Sequence, residues 1–167
     1  MRTQTKKLTK GFTIIEVLIV LAIAGLILAI IFLAVPALQR NSRNTAIRSD
    51  AAAVLAAVND YVANNQGALP TLPTTAQTGP TICFGTTTTG TCGAGETEAK
   101  VRGGTSVQLF AGGTTMPTTT GTIYVRTNIK CAGNNFDTTA GGAPRAVAAG
   151  FLVESNSGQT SNQCIES

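Results

Sequence analysis

The sequence predicts an α+β protein. One long amino-terminal helix, its first half suited to a membrane and its second half amphipathic, packs against a small antiparallel sheet. Three patterns predict this. Phe12–Val35 is apolar apart from Thr13 and Glu16. Ile47, Ala51, Val54, Val58 and Tyr61 then recur at the three- and four-residue steps of a helix face. Farther on, Thr122–Lys130 alternates at the two-residue step of a strand.

The apolar run comes first. Val17–Val35 is 19 residues without a charge. At 1.5 Å per residue, Phe12–Val35 makes a helix of roughly 36 Å, enough to cross a ~30 Å hydrocarbon layer with some tilt. Arg2, Lys6, Lys7 and Lys10 all precede it, which places the amino terminus in the cytoplasm and the remainder outside. These four bases also account for the whole formal net charge of +4, since eight basic and eight acidic side chains follow Gly11. A chain balanced in this way has no electrostatic footprint for nucleic acid, and no such partner is expected. Low net charge suits packing against copies of itself.

The helix continues past its polar stretch Gln39–Asn44, because the stripe from Ile47 is widened by Leu55 and Val62. Asn64-Asn65-Gln66-Gly67 supplies the stop. The reading is one helix over about 12–64, kinked near Pro36, where proline removes a backbone bond and crowds the turn before it. Residues 68–122 are dominated by Thr, Gly and Pro, with runs at Thr86–Thr89 and Thr118–Thr120. They read as a long surface connection in which Val107–Phe110 is the one strand candidate. In Thr122–Lys130, Ile123, Val125 and Ile129 face one side, and Tyr124, Arg126, Asn128 and Lys130 the other. Arg126 and Lys130 are expected on a solvated outer face rather than a DNA-binding patch. A second strand over Ala146–Glu154, a turn at Ser155–Gly158 and a short strand over Thr160–Ile165 complete an antiparallel meander.

Composition removes several chemistries. The chain has no His, which excludes Ser-His-Asp and Cys-His catalysis and most catalytic zinc sites. No cofactor or metal is expected: Cys83, Cys92, Cys131 and Cys164 lack the tight CxxC spacing of zinc sites. All four follow the apolar segment, where an even count reads as two disulfides with three possible pairings.

One segment carries a family resemblance. Lys10-Gly11-Phe12-Thr13-Ile14-Ile15-Glu16-Val17-Leu18 resembles the processing signature of type IV prepilins: a basic leader ending in Gly, then Phe, then Glu at the fifth position of an apolar helix. The resemblance implies cleavage between Gly11 and Phe12 by a prepilin peptidase, N-methylation of Phe12, and retention of the helix. It implies a structural role for Glu16 too. A carboxylate in lipid costs ~2.5 kcal/mol or more and calls for a partner, and the freed amine of Phe12 on a neighbouring copy is the one implied. It further implies unwinding of the helix between a Gly and a Pro on packing; Gly25 and Pro36 are the candidates here, the Pro three residues later than is usual. Beyond residue 62 it extends only to the general plan of variable connection, sheet and late disulfide. A secretory signal with Ala22-Ile23-Ala24 as its cleavage box fits less well, because the apolar run continues to Val35 and carries a carboxylate.

The expected organisation is a leader at 1–11, a transmembrane and assembly helix at 12–36, an amphipathic helix at 37–66, a Thr/Gly-rich variable region at 67–121, and a sheet with a disulfide-tied carboxy-terminal loop at 122–167. Joining sequence neighbours, Cys83 to Cys92 and Cys131 to Cys164, closes each ring without threading one through the other. The expected function is the structural subunit of a type IV pilus filament, serving adhesion, twitching motility or DNA uptake. Its partners would be like subunits, the prepilin peptidase and the inner-membrane assembly machinery, and it would pass from a single-pass membrane precursor to an extracellular pilus. A pseudopilin of a secretion or competence apparatus is the alternative reading. A membrane-tethered enzyme is a third, but no G-x-S-x-G, paired carboxylates or metal-ligand cluster supports it.

Overall fold

Helix α1 spans Ile14–Asn64, 51 residues with Pro36 inside it, in a computed structural model that describes residues 11–70, 76–85, 92–137, 145–155 and 157–167. The chain divides into two units, residues 1–39 and 40–167, and α1 contributes to both. The expected leader lies outside the described residues except for Gly11, as does the Thr86–Thr89 run.

In the first unit every large apolar side chain from Phe12 to Leu38 is exposed. In the second unit the helix buries only Ile47, Asp50, Ala51, Val54, Leu55, Ala57 and Val58. Its end follows from backbone chemistry. Gln66 and Gly67 take positive φ values of 56° and 86°. The Gly67 N–H reaches back to the Val62 carbonyl at 2.8 Å, closing a Schellman-type cap. The φ of Gly67 is one that side chains with a Cβ rarely adopt, which favours glycine; a Cβ there would also lie 3.0 Å from the end of the flexible Arg145 side chain.

The strands are β1 (Gln77–Thr78), β2 (Thr81–Phe84), β3 (Thr97–Lys100), β4 (Ser106–Ala111), β5 (Thr122–Thr127), β6 (Cys131–Ala132), β7 (Asn135–Phe136), β8 (Val147–Glu154) and β9 (Thr160–Glu166). Five form one sheet in the order β1-β4-β5-β8-β9, while β2–β3 and β6–β7 are separate antiparallel hairpins. β4 and β5 pair in parallel, from Ser106↔Thr122 to Ala111↔Thr127, and the other pairings of the sheet are antiparallel. The sheet is therefore mixed. The parallel pair needs the chain to return along the full strand length, which the connection 112–121 allows and a tight hairpin turn does not.

One core joins the helix stripe to the inner face of the sheet through Val54, Val58, Val107, Ile123, Val125, Val147 and Phe151. Each such side chain, fully buried, contributes about 1.5–3 kcal/mol. The opposite face is covered too: Ile129, Phe136 and Ala148 form a second cluster with Met116, Tyr124, Cys131 and Cys164. Gly150 is the contact point, since a Cβ there would lie 2.6 Å from Phe136 Cζ and 2.8 Å from Met116 Sδ.

Two expectations are corrected. The region 67–121 is more than a surface connection, because β1–β4 lie in it and Ile82, Phe84, Ala99, Val101, Val107 and Leu109 join the main core. Short apolar clusters inside Thr- and Gly-rich sequence are enough to form strands once a helix and sheet are there to pack on. Arg126 is not on a solvated face: it is 6% exposed. The loop after β4 and the β6–β7 hairpin cover the face on which alternation places it.

Candidate functional site: the amino-terminal motif

The helix begins with a capping box. Thr13 is the residue before the first helical turn, and Glu16 stands three residues on. The Thr13 N–H and Oγ1 both donate to Glu16 Oε2 at 2.8 Å, and the Glu16 N–H returns a bond to Thr13 Oγ1 at 3.4 Å. Two backbone donors that a helix start leaves unsatisfied thus gain side-chain acceptors. The negative charge also sits at the positive end of the helix dipole. Glu16 is therefore held in a fixed position at the start of an apolar helix.

Among the described residues it has no cover. Phe12 is 90% exposed, and the stretch after it is long and apolar enough to cross a membrane. Leaving some eighteen large apolar side chains in water is not a stable state for a protein, and lipid or other copies of the helix are the surroundings that suit it. Gly25 lies within the helix with nothing near the place a Cβ would take, so no contact within this chain requires glycine there. Pro36 is likewise helical. Of the residues singled out from sequence, Gly11, Phe12 and Glu16 are close neighbours at one helix start, and the cysteines lie in the other unit. Thr13 was not singled out. Its signal was the spacing Thr-x-x-Glu ahead of an apolar run.

In the second unit Cys83 is bonded to Cys92 and Cys131 to Cys164, with Cα separations of 5.3 and 5.8 Å. Glu96 approaches the first pair. Sulfurs bonded to each other are not thiolates, so this trio is not a metal site. The Cys131–Cys164 bridge ties β6 to β9, beside bonds from the Cys131 N–H to Glu166 Oε2 at 2.8 Å and from Asn162 Nδ2 to Asn135 Oδ1 at 2.6 Å.

Polar contacts position the rest. Asp50, buried on the helix, accepts from Thr105 Oγ1 at 2.6 Å and from Arg102 Nε at 3.4 Å. Arg43 forms a two-pronged pair with Glu154 at 3.0 and 2.6 Å, which holds the Glu154 carboxyl below its ordinary pKa. Arg126 donates to the carbonyls of Gly112 and Thr115 and lies over the rings of Phe110 and Phe136, 4.6 and 5.4 Å from their centroids. Burial pushes its guanidinium pKa down from the ordinary value. It works as a clamp on the connection between β4 and β5.

Residues 6–32 match the family model described as the prokaryotic N-terminal methylation motif, the class III signal peptide of type IV pilins and prepilins. No curated protein and no solved structure matches the chain. The motif is one carried by type IV pilin-like and pseudopilin precursors, a structural group of proteins, and together with the apolar helix it supports a membrane-anchored precursor. Prepilin peptidase is the processing enzyme that such a motif implies.

Proposed function

We propose that the chain is the structural subunit of a type IV pilus filament, assembled through helix α1 and exposed outside the cell. The observation that carries this reading is the pairing of the methylation motif at 6–32 with a helix whose first stretch, up to Leu38, exposes all its large apolar side chains and a single anchored carboxylate. Cleavage between Gly11 and Phe12 removes the leader bases, and the new amine of Phe12 is then methylated while remaining cationic. In a neighbouring copy that amine reaches Glu16, whose charge is otherwise unmatched in lipid. The disulfide-tied second unit forms the outer surface, fit for adhesion, motility or DNA uptake.

The test is direct. Material sheared from cells should contain filaments whose main protein begins Phe-Thr-Ile-Ile-Glu by amino-terminal sequencing, with a methylated first residue by mass spectrometry. A start after Ala24, or an intact Met1 in assembled material, overturns the reading. Processed protein confined to the cell envelope, with no surface filament, supports the pseudopilin instead.

A further inference from the structure

The second half of α1 carries a charge on either side of its outward face. Arg48 and Asp60 are exposed, and neither has an ion-pair partner among the described residues. The helix offers them none. Three and four positions away from Arg48 lie Asn44, Thr45, Ala51 and Ala52; from Asp60, Ala56, Ala57, Ala63 and Asn64. Asp50 and Glu154, by contrast, are each held by an arginine. Asp60 also stands about a turn from the carboxy-terminal end of the helix, where the carbonyl dipoles disfavour an anion. In a lone subunit this is a poor place for a carboxylate.

The geometry makes the two charges complementary between copies. Twelve positions apart on one helix, they are separated by about 18 Å along the axis and about 120° around it. Ser49, Ala52, Ala56 and Asn59, all uncharged, stand on the face between them. Every copy enters the membrane with the same polarity, because the leader bases set the orientation. That excludes an antiparallel twofold pair. A parallel pair at equal height would leave the two charges about 18 Å apart along the axis, so joining them takes a head-to-tail contact between different faces of staggered parallel copies, the kind that propagates into a helical filament.

We propose that Arg48 of one subunit pairs with Asp60 of the next, making the outward face of residues 48–60 a contact surface for a second copy of this chain. The inference rests on the filament reading and adds to it a specific contact outside the apolar segment.

Charge reversal in the full-length chain tests it. Arg48→Asp or Asp60→Arg alone should lower the yield of sheared filaments at least tenfold, while processed protein in the membrane stays at its normal level. The double swap should restore the yield to within about threefold. Cross-linking supplies a second readout that does not depend on yield. The native cysteines are all in disulfides, so Arg48→Cys and Asp60→Cys chains, co-expressed and treated with a short bismaleimide, should give a covalent dimer that neither variant gives alone. Single reversals that assemble normally, a double swap no better than the worse single, or filaments without the mixed cross-link would overturn the proposal. A wild-type chain that makes no filament overturns the filament reading and this inference with it. Wild-type filaments indifferent to the swaps overturn this inference alone.

Discussion

Residues 14–38 and residues 40–64 belong to one helix, yet they treat apolar side chains in opposite ways. The first stretch exposes all of them; the second buries a narrow stripe against the sheet and exposes polar or small residues. The physics is the same in both, since apolar area is driven from water wherever it lies. The difference is where the partner comes from. For the second stretch it is encoded in the same chain, as strands β4, β5 and β8. For the first it is not, and lipid and then other copies must supply it. Stability of the second unit is thus a property of the monomer, whereas the first stretch acquires stability only by insertion or assembly.

Changes to the first stretch should therefore abolish assembly without unfolding the second unit. Gly11 substitution carries the largest expected effect. A bulky residue at the scissile position, as in Gly11→Ile, should leave the full-length precursor in the membrane and reduce surface filaments by more than a hundredfold, as judged by immunoblot of membrane and sheared fractions. Filaments made of uncut chains would break the distinction between precursor and subunit.

Glu16 comes next, and the capping box sharpens the question of what it does. If its charge pairs with a neighbour's amine, Glu16→Gln should impair assembly even though Gln keeps the reciprocal cap. If capping alone matters, Glu16→Gln should be tolerated, and Thr13→Val should be as damaging as Glu16→Val. The expected outcome is a tenfold or greater loss of filaments for Glu16→Gln and Glu16→Val, and a smaller loss for Thr13→Val. Processing should stay near normal in all three, measured by the mass of the membrane-bound chain.

These contrasts also mark what was legible in the sequence. The helix stop was, because Asn and Gly at 64–67 readily take the left-handed backbone conformation that ends a helix. Strand β5 was, from its alternation, although it stops at Thr127 and Ile129 joins the opposite cluster from Ile123 and Val125; β8 and β9 were, from the turn signal at Ser155–Gly158 between them. The strands within 67–121 were largely not: β2 spans four residues and β3 four, too short for periodicity to rise above their Thr- and Gly-rich surroundings. Arg126 misled because alternation assigns a residue to a face without saying whether that face is covered. Its cover comes from the loop after β4 and from Phe136, both remote in strand pattern. At the amino-terminal motif, the odd carboxylate drew notice to Glu16, while Thr13 stood out as polar without its capping role being read.

Within the second unit the disulfides should have unequal effects. The Cys131–Cys164 ring is worth about 3.8 kcal/mol by loop-closure entropy and the Cys83–Cys92 ring about 2.7. Cys164→Ser should loosen β9 and make residues 155–167 protease-sensitive, because apart from Ile165 that end has little apolar area. For Cys83→Ser the loss should be smaller, although Cys83 is 1% exposed and a buried hydroxyl adds a cost of its own. Arg126→Met should follow, at about 2 kcal/mol from two carbonyl bonds and two ring contacts, and should release the 112–116 loop to proteolysis. Denaturant unfolding of reduced and oxidised protein in detergent would rank all three.

The smallest expected effect concerns acid. Arg43 holds the Glu154 carboxyl below its ordinary pKa, chiefly by the side-chain hydrogen bond and then by charge. A carboxyl whose folded pKa is lowered stabilises the fold at pH above its unfolded value, and that contribution fades as pH falls through the folded one. Stability lost between neutral and acid pH should thus include a small part due to this pair. The part is small because Arg43 is about half exposed, with a side-chain accessibility of 54%, so that water competes for both partners and salt screens them. Arg43→Gln should flatten the acid limb of the stability profile slightly and leave the alkaline limb unchanged. Glu154→Gln should do the same, and the double variant should add nothing further, since either change removes the one interaction. The backbone of Glu154 is also bonded to the Asn44 side chain, by its N–H and its carbonyl, each at 2.8 Å. Those bonds do not titrate, so the strand end should remain docked on the helix in all three variants. An acid limb as steep in the double variant as in the wild type would assign the acid sensitivity to other carboxylates.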